Sequence, residues 1–97
     1  MAEAESARQL KALAHPIRLA MMQRLAEEPE ICACDFGDAF AVSQPTVSEH
    51  LRVLREAGLV RTRREGTTIC YAAVPKAVAQ VAEVIGALQP RVSAAAA

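Results

Sequence analysis

The sequence has no tryptophan, one tyrosine (Tyr71) and two phenylalanines (Phe36 and Phe40), so aromatic residues cannot build its core. The hydrophobic fraction of 53% is swollen by 21 alanines, which leaves Leu, Val, Ile and Met at regular spacing to do that work. No apolar run approaches the roughly 18 residues that a membrane span needs. The opening "MAEAESARQL" has no signal-peptide pattern. A cytoplasmic location without a membrane partner is the expectation. No Ser/His/Asp arrangement, phosphate loop or catalytic carboxylate pair is present, and enzymatic activity is not expected. Length sets another bound, because 97 residues make one small domain. Such a domain buries limited surface, and a second subunit would help stabilise it.

Net charge is zero, yet the charge is unevenly spread. Residues 1–38 carry −3, residues 39–64 carry +3 through five arginines against two glutamates, and the remainder balances. A neutral chain with one basic segment can bind an anionic polymer through it.

Periodicity divides the chain into short elements. Ala7, Leu10, Leu13 and Ala14 recur at helical spacing over 6–14. "HP" at 15–16 ends that helix and starts the next, with Pro16 in the tolerated first turn and Ile17, Ala20, Met21 and Leu25 on one face. A short third helix is predicted from near Cys32–Asp35 to Phe40, followed by a tight turn at 41–43. A fourth runs from Gln44 to Ala57, with Ser43 as N-cap, Val47, Leu51 and Leu54 as its buried stripe, and Gly58 as a left-handed terminator. The period then changes. Two β-leaning runs, about 59–64 and 68–74, flank a turn with Gly66 at its tip. Pro75 opens a last helix to about Leu88, striped by Val78, Val81, Ile85 and Leu88. The ordered part is expected over 6–88, with 89–97 frayed. This order is a winged helix-turn-helix, mainly α with a two-stranded β wing, in a single domain over 1–97.

In that fold a recognition helix presents polar side chains to the major groove. With Val47 central on the buried face, Ser48, Glu49 and Arg52 project away from it, and Gln44 and Thr46 occupy the exposed first turn. Ser43, beside them, is the cap. Gln and Arg suit bidentate base contacts, Ser and Thr suit phosphates or base edges, and Arg61, Arg63 and Arg64 lie on the hairpin. Double-stranded DNA is therefore the expected partner. His50 reads as a packing or backbone-bonded residue and His15 as a helix-start residue.

"EICACDF" at 30–36 sets Cys32 and Cys34 one residue apart. In a reducing compartment they read as packing hydrophobes, a redox pair or metal ligands before they read as a structural disulfide.

Three stretches, "LKALAHPIRLAMMQRL", "ICACDF" and "VSQPTVSEHLRVLREAGLVRTRREGTTICYAAV", together resemble the ArsR/SmtB family of bacterial metal-responsive repressors over about residues 8–75. "CxCD" at Cys32, Cys34 and Asp35 is similar to its arsenic-sensing branch. The resemblance implies a homodimer, joined through its first and last helices, that binds a palindromic operator and represses a resistance operon. It further implies release of DNA when arsenite or antimonite binds as inducer, with no resident cofactor. Relatives of this type often carry a third cysteine three residues after the second, where this chain has Gly37. Cys70, on the second strand of the wing, is the remaining thiol. It either fills space or supplies the third ligand, from the same subunit or the other. The last helix, "KAVAQVAEVIGALQP", has no His or Asp, which disfavours zinc.

Spacing offers a mechanism for such a sensor. Residues i and i+2 of a continuous helix point about 200° apart, whereas in extended chain they point the same way. Binding by both Cys32 and Cys34 thus requires the first turn of the third helix to fray or unwind, and that motion reaches the reading helix. Trivalent arsenic is soft and favours such thiolates. Two other readings remain open: a thiol-redox or persulfide-sensing repressor of the same fold, and a constitutive architectural DNA-binding protein with packing cysteines.

Overall fold

Local signals set most boundaries in the computed structural model, which describes residues 2–91. Helix α1 spans Ala2–Leu13 and α2 spans Pro16–Glu27. Between them His15 Nδ1 accepts the Ile17 N–H at 3.1 Å, capping α2 just before its Pro16. Strand β1 (Ile31–Cys32) runs directly into α3 (Ala33–Phe40), and Cys32 is both the end of the strand and the extended N-cap of the helix. Ala41 closes α3 with φ +54°, a left-handed conformation that costs a residue with a Cβ about 1–2 kcal/mol.

Helix α4 (Gln44–Glu56) begins at Ser43, whose Oγ accepts the Thr46 N–H at 3.4 Å. It ends as its glycine predicts. Gly58 has φ +80°, its N–H donates to Arg55 O at 2.9 Å, and the Leu59 N–H donates to Leu54 O at 3.0 Å. Those paired bonds are the Schellman closure. Strands β2 (Val60–Glu65) and β3 (Thr68–Ala73) follow, joined by a two-residue turn with Gly66 at φ +64°, and α5 spans Pro75–Ala87. Residues 92–97, the greater part of the tail expected to fray, lie outside the described residues.

The expected two-stranded wing is instead part of a three-stranded antiparallel sheet, in the order β1-β3-β2. Ile31 pairs with Tyr71 and Cys32 with Cys70. A two-residue strand has no periodicity of its own, and only the partner strand reveals it.

Phe36 from α3, Met21 from α2, Val47, Leu51 and Leu54 from α4, and Leu59 before β2 are wholly buried. Each contributes roughly 1.5–3 kcal/mol by leaving water, and together they lock α3 and α4 against α2. The outer helices are covered on one margin only. In α1 the buried residues are Ser6, Gln9 and Ala12, while Leu10 and Leu13 are half-buried and Ala7 is exposed. Gln9 Nε2 donates to Ala57 O at 3.3 Å, but its Oε1 is buried without a partner among the described residues. In α5, Ala77 and Val81 are buried, whereas Val78, Ile85 and Leu88 stand exposed, Leu88 at 73%.

Candidate thiol site and nucleic-acid interface

Cross-strand pairing, not the Cys-x-Cys spacing, brings two thiols together. Cys32 and Cys70 face each other across β1 and β3, and their Sγ atoms are 3.0 Å apart. All three cysteines are free. Cys70 is buried, Cys32 half-buried and Cys34 exposed. Cys34 sits in the first turn of α3 with its sulfur 3.9 Å from Asp35 Oδ1. Among the described residues no three His, Cys, Asp or Glu side chains gather closely enough to hold one ion. The structure therefore assembles two of the three predicted thiols and leaves Cys34 outside.

The contact alters the chemistry of Cys32. Its hydrogen bond to Cys70, and then burial, push its thiol up to about 11 from an ordinary value near 9.0. Two sulfurs 3.0 Å apart both lie within reach of one soft ion, given metal–sulfur bonds of about 2.3 Å as in zinc thiolates. On geometry the donor pair fits such an ion, and a third sulfur requires Cys34 to move.

The thiol pair is tied to the wing. Register places Cys32, Cys70 and Arg63 in one row across the sheet, and so on one face. Glu30, just before β1, receives two hydrogen bonds from Arg63, at 2.9 Å from Nε and 2.8 Å from Nη2. This bidentate pair runs from the β1 side of the sheet to β2, past the central strand that carries Cys70. Arg63 also pairs with Glu65 at 2.7 Å. The Arg63 bonds hold the Glu30 carboxyl below its usual value, and the two carboxylates raise that of Arg63.

The nine side chains predicted for DNA lie on the α4 first turns and on β2, all exposed except the half-buried Thr46. They are not equally free. Arg52 bonds Glu49 at 2.5 Å and Glu56 at 2.8 Å, so two of the predicted readers hold each other. Ser43 and Thr46 are joined by a 3.0 Å hydroxyl contact within the cap. Gln44 Nε2 reaches the Cys34 carbonyl at 3.5 Å, linking the start of α4 to the start of α3. Ser48 has no side-chain hydrogen bond, and Arg61 and Arg64 no ion pair, among the described residues.

Gly37 has a structural reason to lack a side chain. A Cβ there would collide with Gln44 Nε2, the far end of a flexible side chain that would have to shift. The sequence reading missed Glu30, the partner of Arg63. Its position beside β1 was the available signal, and it became readable only once β1 was known to pair.

Comparison with known proteins places this arrangement in context. Residues 15–62 match the family model described as "Bacterial regulatory protein, arsR family". The arsenical resistance operon repressor of Escherichia coli is 40% identical over 75 residues, covering 77% of this chain and 64% of that protein. The chain thus spans just under two thirds of that relative. The crystal structure of the transcriptional repressor BigR from Xylella fastidiosa is 34% identical with a TM-score of 0.70, over 92% of this chain and 91% of that one. The solution structure of a homodimeric winged helix-turn-helix DNA-binding domain from Mycobacterium bovis, a possible ArsR-family regulator, is 30% identical with a TM-score of 0.73, over 93% of this chain and 83% of that one.

Proposed function

Because this chain belongs to the ArsR family of bacterial regulatory proteins, we propose that it is a homodimeric operator-binding repressor released by trivalent arsenic or antimony. The inducer is held by Cys32 and Cys70, with Cys34 recruited as the third thiol. The coarser part rests on the family and the fold: a winged helix-turn-helix transcriptional regulator, not an enzyme. The metalloid is the further step, and the 3.0 Å contact between Cys32 and Cys70 is the observation that carries it.

That contact sits where three elements meet. Cys32 is the N-cap of α3, the first helix of the helix-turn-helix, and Cys70 belongs to the wing strand paired with β2. Gathering Cys34 to the pair unwinds the first turn of α3, because Cys32 is already extended and Cys34 is helical. The Gln44 contact to the Cys34 carbonyl is lost with that turn, and α4 shifts. Wing and reading helix thus change their relation in one event. Arsenite can use a thiol that stays protonated at neutral pH, since each thiol proton leaves with an arsenite hydroxyl as water.

Operator contacts in this account fall to Gln44, Ser48, Arg61 and Arg64, with Ser43 and Thr46 at the cap. Arg52, Glu49 and Arg63 act through the ion pairs that they already make. The exposed apolar residues Val78, Ile85 and Leu88 on α5, with half-buried Leu10 and Leu13 on α1, support a second copy of the chain against these helices. They would give one contiguous apolar seam.

A thiol-redox reading uses the same sulfur pair. It is disfavoured because the thiolate is the nucleophile that attacks a peroxide, and the raised value of Cys32 leaves its sulfur protonated at neutral pH. One experiment separates the readings. Operator complex is followed by fluorescence anisotropy during titration with arsenite, antimonite, zinc and hydrogen peroxide. Release by the two metalloids, with zinc and peroxide inert, is the expected result. Release by peroxide alone overturns the metalloid reading, and no release by any agent leaves a constitutive DNA-binding protein.

A further inference from the structure

A second cluster of titratable side chains lies outside the thiol site, where α1, α2 and α4 meet. Arg18 of α2 donates from Nε to the Ala12 carbonyl at 2.5 Å, closing the end of α1. Its Nη1 lies 3.2 Å from Nδ1 of His50 on α4. A guanidinium has no acceptor. His50 therefore accepts at Nδ1 and carries its proton on Nε2, as a neutral ring. His15 packs against it with ring centroids 4.4 Å apart, and its own Nδ1 accepts the Ile17 N–H that caps α2. His50 was read from sequence as a packing or backbone-bonded residue. It does pack, on His15, and its hydrogen-bond partner is a side chain on another helix.

We propose that Arg18 and His50 form a proton-sensitive joint that positions the reading helix, so that operator affinity falls when His50 takes up a proton. A proton on Nδ1 removes the acceptor and sets a second cation 3.2 Å from the guanidinium. The groups acting on the ring are unfavourable to that charge from the α2 side, where both Arg18 and His15 stand. Glu49, on its own helix, opposes them but is engaged by Arg52. Burial first, and then His15 and Arg18, depress the His50 value below the ordinary 6.5. The joint is accordingly intact above about pH 6.5 and is lost as pH falls through the lower folded value. This direction is informative. Added positive charge ordinarily tightens binding to DNA, so weakening on acidification points to position and not to net charge. Arg18 and His50 are positioning residues, acting on DNA through the placement of α4.

The proposal rests on α4 as the operator-facing helix, and the test separates the two. Operator affinity is measured from pH 5.5 to 8.0 at fixed ionic strength, for wild type, His50→Gln, Arg18→Ala and His15→Asn. Gln keeps an acceptor for Arg18 without titrating, and Asn keeps the α2 cap. Wild type is expected to lose affinity progressively as pH falls, with the loss concentrated below pH 6.5. His50→Gln should retain the affinity of pH 8.0 with a flat profile, and Arg18→Ala should bind more weakly at every pH. His15→Asn should remain pH-dependent, with its midpoint raised. A flat or inverted wild-type profile, or a His50→Gln profile as steep as wild type, overturns the joint. Failure of wild type to bind operator at any pH overturns instead the assignment of α4.

Discussion

Cys32 Sγ and Cys70 Sγ lie 3.0 Å apart although 38 positions separate them in the chain. The contact joins the N-cap of the first helix of the helix-turn-helix to the central strand of the wing sheet. A ligand that redraws it would act at once on the two parts proposed to face DNA.

The thiols should differ in reactivity. Alkylation with iodoacetamide at pH 7.5, followed by peptide mass spectrometry, should label exposed Cys34 well before Cys32, whose thiol is pushed up to about 11. Removing its hydrogen-bond partner by Cys70→Ala should speed labelling of Cys32. The sign for stability follows from the raised value. The contribution is complete below about pH 9 and is lost as pH rises through about 11. Equal rates at Cys32 and Cys34 in wild type would contradict this.

In the proposed operator complex the Glu30–Arg63 pair would withhold a cation from DNA. Glu30→Gln combined with Glu65→Gln should free Arg63, tighten operator binding several-fold and steepen the salt dependence by about one counterion. Stability should change little, since the pair is exposed to solvent. Arg61→Ala and Arg64→Ala should each weaken binding and flatten the salt slope by a similar amount. An unchanged salt slope in all three variants would remove β2 from the interface.

Ala41 is the strained point of the helix-turn-helix. Its φ of +54° predicts that Ala41→Gly stabilises the fold by about 1 kcal/mol, read as a rise in the urea midpoint at constant slope. Loss of stability would mean that the Ala41 methyl packs in a way that outweighs the strain.

Gly37 tests the link from α3 to α4. Gly37→Ala should displace Gln44 from the Cys34 carbonyl and reduce operator affinity, while the melting temperature stays within a few degrees because the displaced atom ends a flexible side chain. Full affinity would remove Gln44 from the coupling path.

Much of the fold was legible because its signals are local. His15-Pro16, Ser43 with Pro45, and Gly58 carry their capping role in their own chemistry, and each marks the boundary expected of it. The hairpin around Gly66 was equally readable. Strand β1 was not, because two residues have no pattern until β3 lies beside them. Tertiary partners were hidden for the same reason. Nothing local distinguishes Arg63, held by Glu30, from Arg64, which has no ion pair among the described residues. Helical spacing put Ala7 on the stripe of α1, yet Ser6 and Gln9 line its buried margin while Ala7 faces out. The Cys-x-Cys spacing pairs Cys32 with Cys34 in sequence, whereas pairing across the sheet sets Cys70, not Cys34, beside Cys32.

The account stands or falls on Cys70. Arsenite titration of the operator complex, followed by anisotropy, compares wild type with Cys70→Ser and Cys34→Ser. Wild type should release DNA. Cys70→Ser should bind operator normally yet need at least about tenfold more arsenite, the loss of one ligand contact worth about 1.4 kcal/mol. Cys34→Ser should bind arsenite at the remaining pair but release DNA poorly. If Cys70→Ser releases operator at the wild-type arsenite concentration, the cross-strand thiol pair is not the sensor.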